Sequence, residues 1–162
     1  MNEISWYVLL HAGLGDLGAL CFLWVVVELI NAKEEGLKRA RAVSVTGLIL
    51  ISASWIVGGY YYVTTYGKAV KPVIVGSAYA WAHGIIMEAK EHIFLFIPLM
   101  AAVVVIGLFM TRSFKDIASK GRTRLGMLSA LVFLTGFSMA MMGFLIAVGA
   151  RAALAAGNVV TP

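Results

Sequence analysis

Residues 42–66 read AVSVTGLILISASWIVGGYYYVTTY, a run of 25 residues without a charged side chain. About 20 such residues in a helix cross the hydrocarbon core of a bilayer. Three more runs flank this one. Ile4 to Ile30 is interrupted only by His11, Asp16 and Glu28. A third run starts near Glu88 to His92 and continues uncharged to Met110, and a fourth covers Leu125 to Ala150. The period-two alternation of a membrane barrel strand is absent. The expected fold is an all-α integral membrane four-helix bundle. It forms a single membrane domain over residues 1–162, with spans at about 4–30, 42–66, 90–111 and 125–150 and an outer interfacial segment at 67–89.

Composition supports the same class. Of the 162 residues, 61% are hydrophobic and 13% charged, with a mean hydropathy of +0.92. A soluble domain carries about 25% charged residues, so a water-facing surface would be starved of charge here. Disorder is excluded by the abundance of aliphatic side chains. Met1, Asn2 and Glu3 lack the positive start of a signal peptide, and the apolar run that follows is too long for one, so the first span is expected to stay in the mature protein.

Lys33, Lys38, Arg39 and Arg41 lie between the first two spans, and Arg112, Lys115, Lys120, Arg122 and Arg124 between the last two. These are nine of the thirteen basic residues. By the positive-inside rule, loops 31–41 and 112–124 are cytoplasmic and both termini lie on the outer, non-cytoplasmic side, in a bacterial or archaeal cytoplasmic membrane. This segregation accounts for the net charge of +5 without a nucleic-acid partner. The lipid bilayer is the expected environment. Cys21, the single cysteine, excludes an internal disulfide and a cysteine-based zinc site.

The outer connection carries Lys68, Lys71, Pro72, Tyr79, Trp81 and His83, a mixture suited to the headgroup region. Tyr60, Tyr61, Tyr62 and Tyr66 extend it as an expected interfacial belt. Small residues recur at steps of three, four and seven in span two (Ser44, Gly47, Ser54, Gly58) and span four (Gly126, Ser129, Gly136, Ala140, Gly143, Ala147). Such stripes let helices approach closely in lipid, or leave room for a flat cofactor. Gly13, Gly15 and Gly18 spell G-x-G-x-x-G, but no strand precedes them, so the dinucleotide reading fails and close packing is expected instead.

Ionisable groups inside a span cost roughly 2.5–3.5 kcal/mol each on insertion scales, so they usually have a task or a partner. Asp16 lies near mid-depth and is a candidate proton carrier; Glu28 is near enough to the cytoplasmic end to snorkel. The start of span three is densest, with His83, Glu88, Lys90, Glu91 and His92. On a helix Glu88 and His92 share a face. His83 and His92 are about 180° apart unless Gly84 breaks the helix. Pro98 should kink the span and free the carbonyl of Phe94. For Glu88 and Glu91 the plain reading is a solvated helix N-terminus. All three histidines fall toward the outer side.

Three uses of that side are open. The first is one b-type haem, ligated by His11 and His92 with His83 as substitute, the glycines giving the slot and Lys68, Lys71, Lys90 or the tyrosines meeting the propionates. In this layout, His11 early in span one, His92 opening span three and basic cytoplasmic loops, the chain resembles bacterial four-helix membrane b-type cytochromes and the related CopD-type membrane proteins. The resemblance implies electron transfer, with quinone or another membrane redox subunit as partner, or a link to copper handling. The second use is a non-haem metal site of His11, His92, Glu88 and Glu91, with His83, suited to zinc, iron or a copper ion. The third needs no cofactor: a small subunit of a larger membrane complex, or a homo-oligomer that builds a pathway at Asp16.

Overall fold

The structure, a computed structural model, describes residues 6–114, 117 and 119–159. The expected start of the first span at Ile4 and the loop residue Lys115 lie outside them. Among the described residues four helices are long and apolar enough to cross a membrane: Trp6–Asn31, Glu34–Val75, Ala82–Met110 and Lys120–Gly157. They build an all-helical fold.

Helix α1 (Trp6–Asn31) ends in a turn of two residues, Ala32 and Lys33, that reverses the chain. Ala32 takes φ 51° there, and its N–H donates to Glu28 O at 2.9 Å. Helix α2 (Glu34–Tyr61) starts with Glu34 and Glu35, whose charges complement the positive end of the helix dipole. It continues without a break through a π-helical stretch, Tyr62–Val70, into α3 (Lys71–Val75). After a turn, a second π-helical stretch (Ala82–Met87) leads into α4 (Glu88–Phe94). Leu95 separates α4 from α5 (Phe96–Met110). That interruption has the cause expected: Pro98 has no N–H for the carbonyl of Phe94, so the ladder lapses one turn before it. Helix α6 (Ser119–Val159) is 41 residues long.

Helix α1 packs mainly on α2 and α6, and α5 packs on the same two, giving a square bundle. Glycines set the closest seams. A methyl added at Gly18 would stand 2.8 Å from Ile51 Cγ1, and one at Gly47 2.8 Å from Cys21 Cβ. One at Gly136 would stand 2.7 Å from Ala19 Cβ, and one at Gly107 2.5 Å from a Leu125 methyl. In lipid, apolar contact gains little over the solvent itself, so this dense packing is what holds helices together. The enclosed layer is apolar, with Phe22, Val25, Val104, Leu108 and Val132 fully buried. The outer faces are apolar too: Leu17, Ile49, Ile56, Leu99, Phe109 and Phe137 are exposed, as a lipid-facing bundle requires.

Both basic loops lie at one end of the bundle. Arg41 from the first donates Nε to Leu108 O at 3.0 Å and Nη2 to Thr111 O, satisfying carbonyls at the C-terminus of α5. Glu34 accepts from Ser113 of the second loop at 2.8 Å. The three histidines lie toward the opposite, histidine end.

Three expectations need adjustment. The segment at 67–89 is no separate surface piece: residues 67–75 prolong the second helix, and Ala82 onward opens the third, packed on α6 where Gly149 leaves room for Ala82. Tyr66 is buried between helices rather than on the outside of the bundle, in a second core cluster with Ile74, Ala82 and Ile146. Gly13 supports no close contact, since a methyl there would meet nothing within 4 Å.

Candidate functional site at the histidine end

His11 is seated by α2. A methyl at Gly58 would lie 2.5 Å from His11 Nδ1, so only glycine admits the ring. Nδ1–H donates to Ser54 O at 2.8 Å and lies 3.0 Å from Ser54 Oγ, whose own hydroxyl donates to His11 O at 2.7 Å. A carbonyl can only accept, so Nδ1 carries the proton and Nε2 stays open in the neutral ring.

His83 is buried at 4% exposure, inside the second core cluster. Its Nδ1 lies 3.1 Å from the Tyr66 hydroxyl, and its Nε2 lies 3.5 Å from Glu88 Oε1. With Nε2–H turned to the carboxylate, Nδ1 accepts from the tyrosine. Tyr66 in turn stacks on Tyr62, ring centroids 5.3 Å apart. The Tyr62 hydroxyl faces the Glu91 carboxylate. Glu91 Oε1 is buried without a hydrogen-bond partner, alone in this respect among the described side chains. Buried polar atoms are nearly always paired with protein groups or ordered water, so this oxygen is a place for a water, an ion or a proton.

Lys90 completes the cluster. Its ammonium reaches α6, where a methyl at Gly143 would stand 3.4 Å from Nζ. It lies within Coulombic range of the Asp16 and Glu91 carboxylates and of His11. Asp16 itself is exposed on the outer face of α1, beside the open space at Gly13. From the half-exposed Glu88, contacts run to His83 and Tyr66, Tyr66 stacks on Tyr62 and Tyr62 faces Glu91, while Lys90 and the exposed Asp16 are related to Glu91 by charge at longer range.

His92 stands apart. Its Nδ1–H donates to Glu88 O one turn back at 2.6 Å, and the exposed ring lines an apolar groove with Phe96, Met100, Leu131 and Thr135. The structure thus brings His83 to Glu88, but sets His11 against α2 and His92 in the groove between α5 and α6. Among the described residues no three of His, Cys, Asp and Glu gather as a metal site.

Sequence reasoning missed the inward roles of Lys90, Glu91, Tyr62 and Tyr66. Two departures from simple helix counting explain this. The third helix begins at Ala82 rather than near Glu88, so the acids lie within it and not at its solvated first turn. The π-helical stretches are wider than α-helix, so side chains after them take a different angular phase. A lysine between two glutamates at the head of an apolar run was the available signal.

Among the described residues the opposite end holds one buried acid, Glu28, with both oxygens engaged. Arg39 donates Nε to Oε1 at 2.7 Å and Nη2 to Oε2 at 3.0 Å, and Trp24 Nε1–H adds a third bond at 3.0 Å. It does not need to snorkel.

No family model, curated protein or solved structure matches this chain.

Proposed function

We propose that this chain is a membrane proton-handling protein, whose histidine end forms a half-pathway from one membrane face to mid-bilayer. Both termini lie on the outer side and loops 31–41 and 112–124 in the cytoplasm, following the distribution of basic residues. A proton arriving at Glu88 passes to His83 once the ring has switched to its other tautomer: Nε2, then bare, takes the proton from the carboxyl, and Nδ1–H is released toward Tyr66. From Tyr66 the line reaches Tyr62 through a bridging water, since the two rings stack but their hydroxyls share no hydrogen bond, and Tyr62 gives its proton to Glu91 as it takes one from that water. Asp16 and Glu91 are the two carboxylates within Coulombic range of one ammonium, Lys90. Asp16, exposed at mid-span, hands the proton to a neighbouring chain, a second copy or another subunit, in keeping with a small subunit of a larger membrane complex.

The observation that carries this reading is the buried, unpartnered Glu91 Oε1 beside Tyr62 and Lys90. Infrared difference spectra of the reconstituted protein after a pH jump test it without needing a partner. A protonated-carboxyl C=O band is expected in the wild type, absent in Glu91→Gln and formed at least tenfold more slowly in Tyr66→Phe. A band unchanged in Glu91→Gln would overturn the assignment.

A second reading is electron transfer through one b-type haem, or binding of a zinc, iron or copper ion. Its support is that His11 and His92 each spend Nδ1–H on a main-chain carbonyl, the usual outer-shell partner of a ligating imidazole, leaving Nε2 for a metal. The two rings belong to different seams, so joint ligation would require the helices to rearrange. A visible spectrum with and without dithionite decides: a Soret band lost in both His11→Ala and His92→Ala supports it, and a featureless spectrum after expression with haem supplied removes it.

A further inference from the structure

At the basic-loop end, α1 and α6 diverge. At Gly136 a methyl would meet Ala19 at 2.7 Å, but at Gly126, about 15 Å nearer that end by helical rise, it would meet nothing within 4 Å. The wedge between them is a groove of about 380 Å³, open to the side of the bundle. Val26 and Ile30 of α1 and Gly126, Met127 and Ala130 of α6 line it, with Arg122 at its polar end.

The arginines at this end differ in how they are used. Arg39 is tied to Glu28, and Arg41 to the carbonyls of α5. Arg122 has no ion pair or hydrogen bond among the described residues and stands over the apolar wedge. A guanidinium binds phosphate through a planar fork of donors, and a cleft between spans near basic loops suits an anionic lipid.

We propose that this wedge binds one anionic phospholipid, its acyl chain along Gly126 and its phosphate on Arg122. The groove's shape argues against a free anion, because most of its wall is apolar and faces the bilayer. The charge argues against a neutral lipid, because nothing else described here neutralises Arg122. This site lies at the other end of the molecule from the proton path and does not depend on it.

Native mass spectrometry tests the proposal, on protein released from mixed micelles holding phosphatidylglycerol in a phosphatidylcholine background. One phosphatidylglycerol per chain should survive activation in the wild type. Arg122→Gln should weaken its retention about tenfold, the scale of a lost charge-assisted bond, and Arg122→Lys less. Gly126→Leu, which fills the wedge and leaves the arginine in place, should also release it. Near-native circular dichroism of each variant excludes misfolding as the cause. Equal retention of phosphatidylcholine, or unchanged retention in Arg122→Gln, would show only the general lipid annulus and overturn the proposal. So would displacement by inorganic phosphate, which would make this a soluble-anion site, or retention in Gly126→Leu.

Discussion

Glu28 and Glu91 are both carboxylates drawn into the same bundle, one toward each end, and the protein treats them in opposite ways. Glu28 accepts three hydrogen bonds from Arg39 and Trp24. Glu91 has an oxygen with none. Glu28 is therefore a closed structural pair: the buried carboxylate has a fixed partner in Arg39, whose own side chain is about half exposed. Glu91 has no such fixed partner for Oε1. A buried pair contributes little beyond a hydrophobic substitute but is costly to break, while an unpaired buried group persists where it has work to do.

Replacing each acid by its amide sharpens this contrast most. Glu28→Gln removes the charge that holds the Arg39 fork and should lower the thermal midpoint in detergent by about 2–5 °C. Glu91→Gln breaks no hydrogen bond of Oε1 and should shift it by less than about 2 °C, while abolishing the infrared signal described above. Equal destabilisation by the two would erase the distinction between a structural and an exchanging carboxylate.

Four spans, the gathering of basic residues at one end and the break before Pro98 were legible because each depends on composition or on one residue's covalent chemistry. The polar line from Glu88 to Asp16 was not. His83 and His92 were expected on opposite sides of a continuous helix, and they do have different surroundings, but the reason lies in the π-helical stretch at Ala82–Met87 as much as in their spacing. Nothing in a run such as Tyr60 to Tyr66 announces that its helix will widen. Hence Tyr62 and Tyr66, assigned to a membrane-surface belt, stand instead beside Glu91 and His83. The placement of Lys90 depends on Gly143, about 50 residues away in sequence, which no local pattern reveals.

The histidine end has its own tight point, and a pair of glycines on α1 and α2 isolates it. Gly58→Ala would put a methyl 2.5 Å from Nδ1 and 2.7 Å from Cε1 of a rigid ring already bonded to Ser54. Overpacking of this kind should cost about 1–3 kcal/mol and loosen His11. Gly13→Ala, on the open side of the same end, should cost nothing, and helix propensity favours it by up to about 1 kcal/mol. Thermal unfolding of the two variants checks the difference. Similar losses would mean that His11 is not held by the α1–α2 seam.

The smallest effect concerns the turn that closes the other end. Ala32 stands at φ 51°, where a Cβ crowds the following carbonyl and glycine does not. This turn fixes how α1 meets α2 and so sets the reach from Arg39 back to Glu28. Ala32→Gly relieves the strain, offset in part by glycine's greater freedom in the unfolded chain, and should raise stability by up to about 1 kcal/mol. The Glu28–Arg39 pair lies next to this turn and the Glu91 cluster far from it. The gain should therefore appear in hydrogen-exchange protection around Glu34–Arg41 and leave the amides near Lys90 and Glu91 unchanged. Protection rising equally at both ends would show that the two polar layers are energetically coupled rather than separate, the one result that would replace the contrast between them with a single cooperative unit.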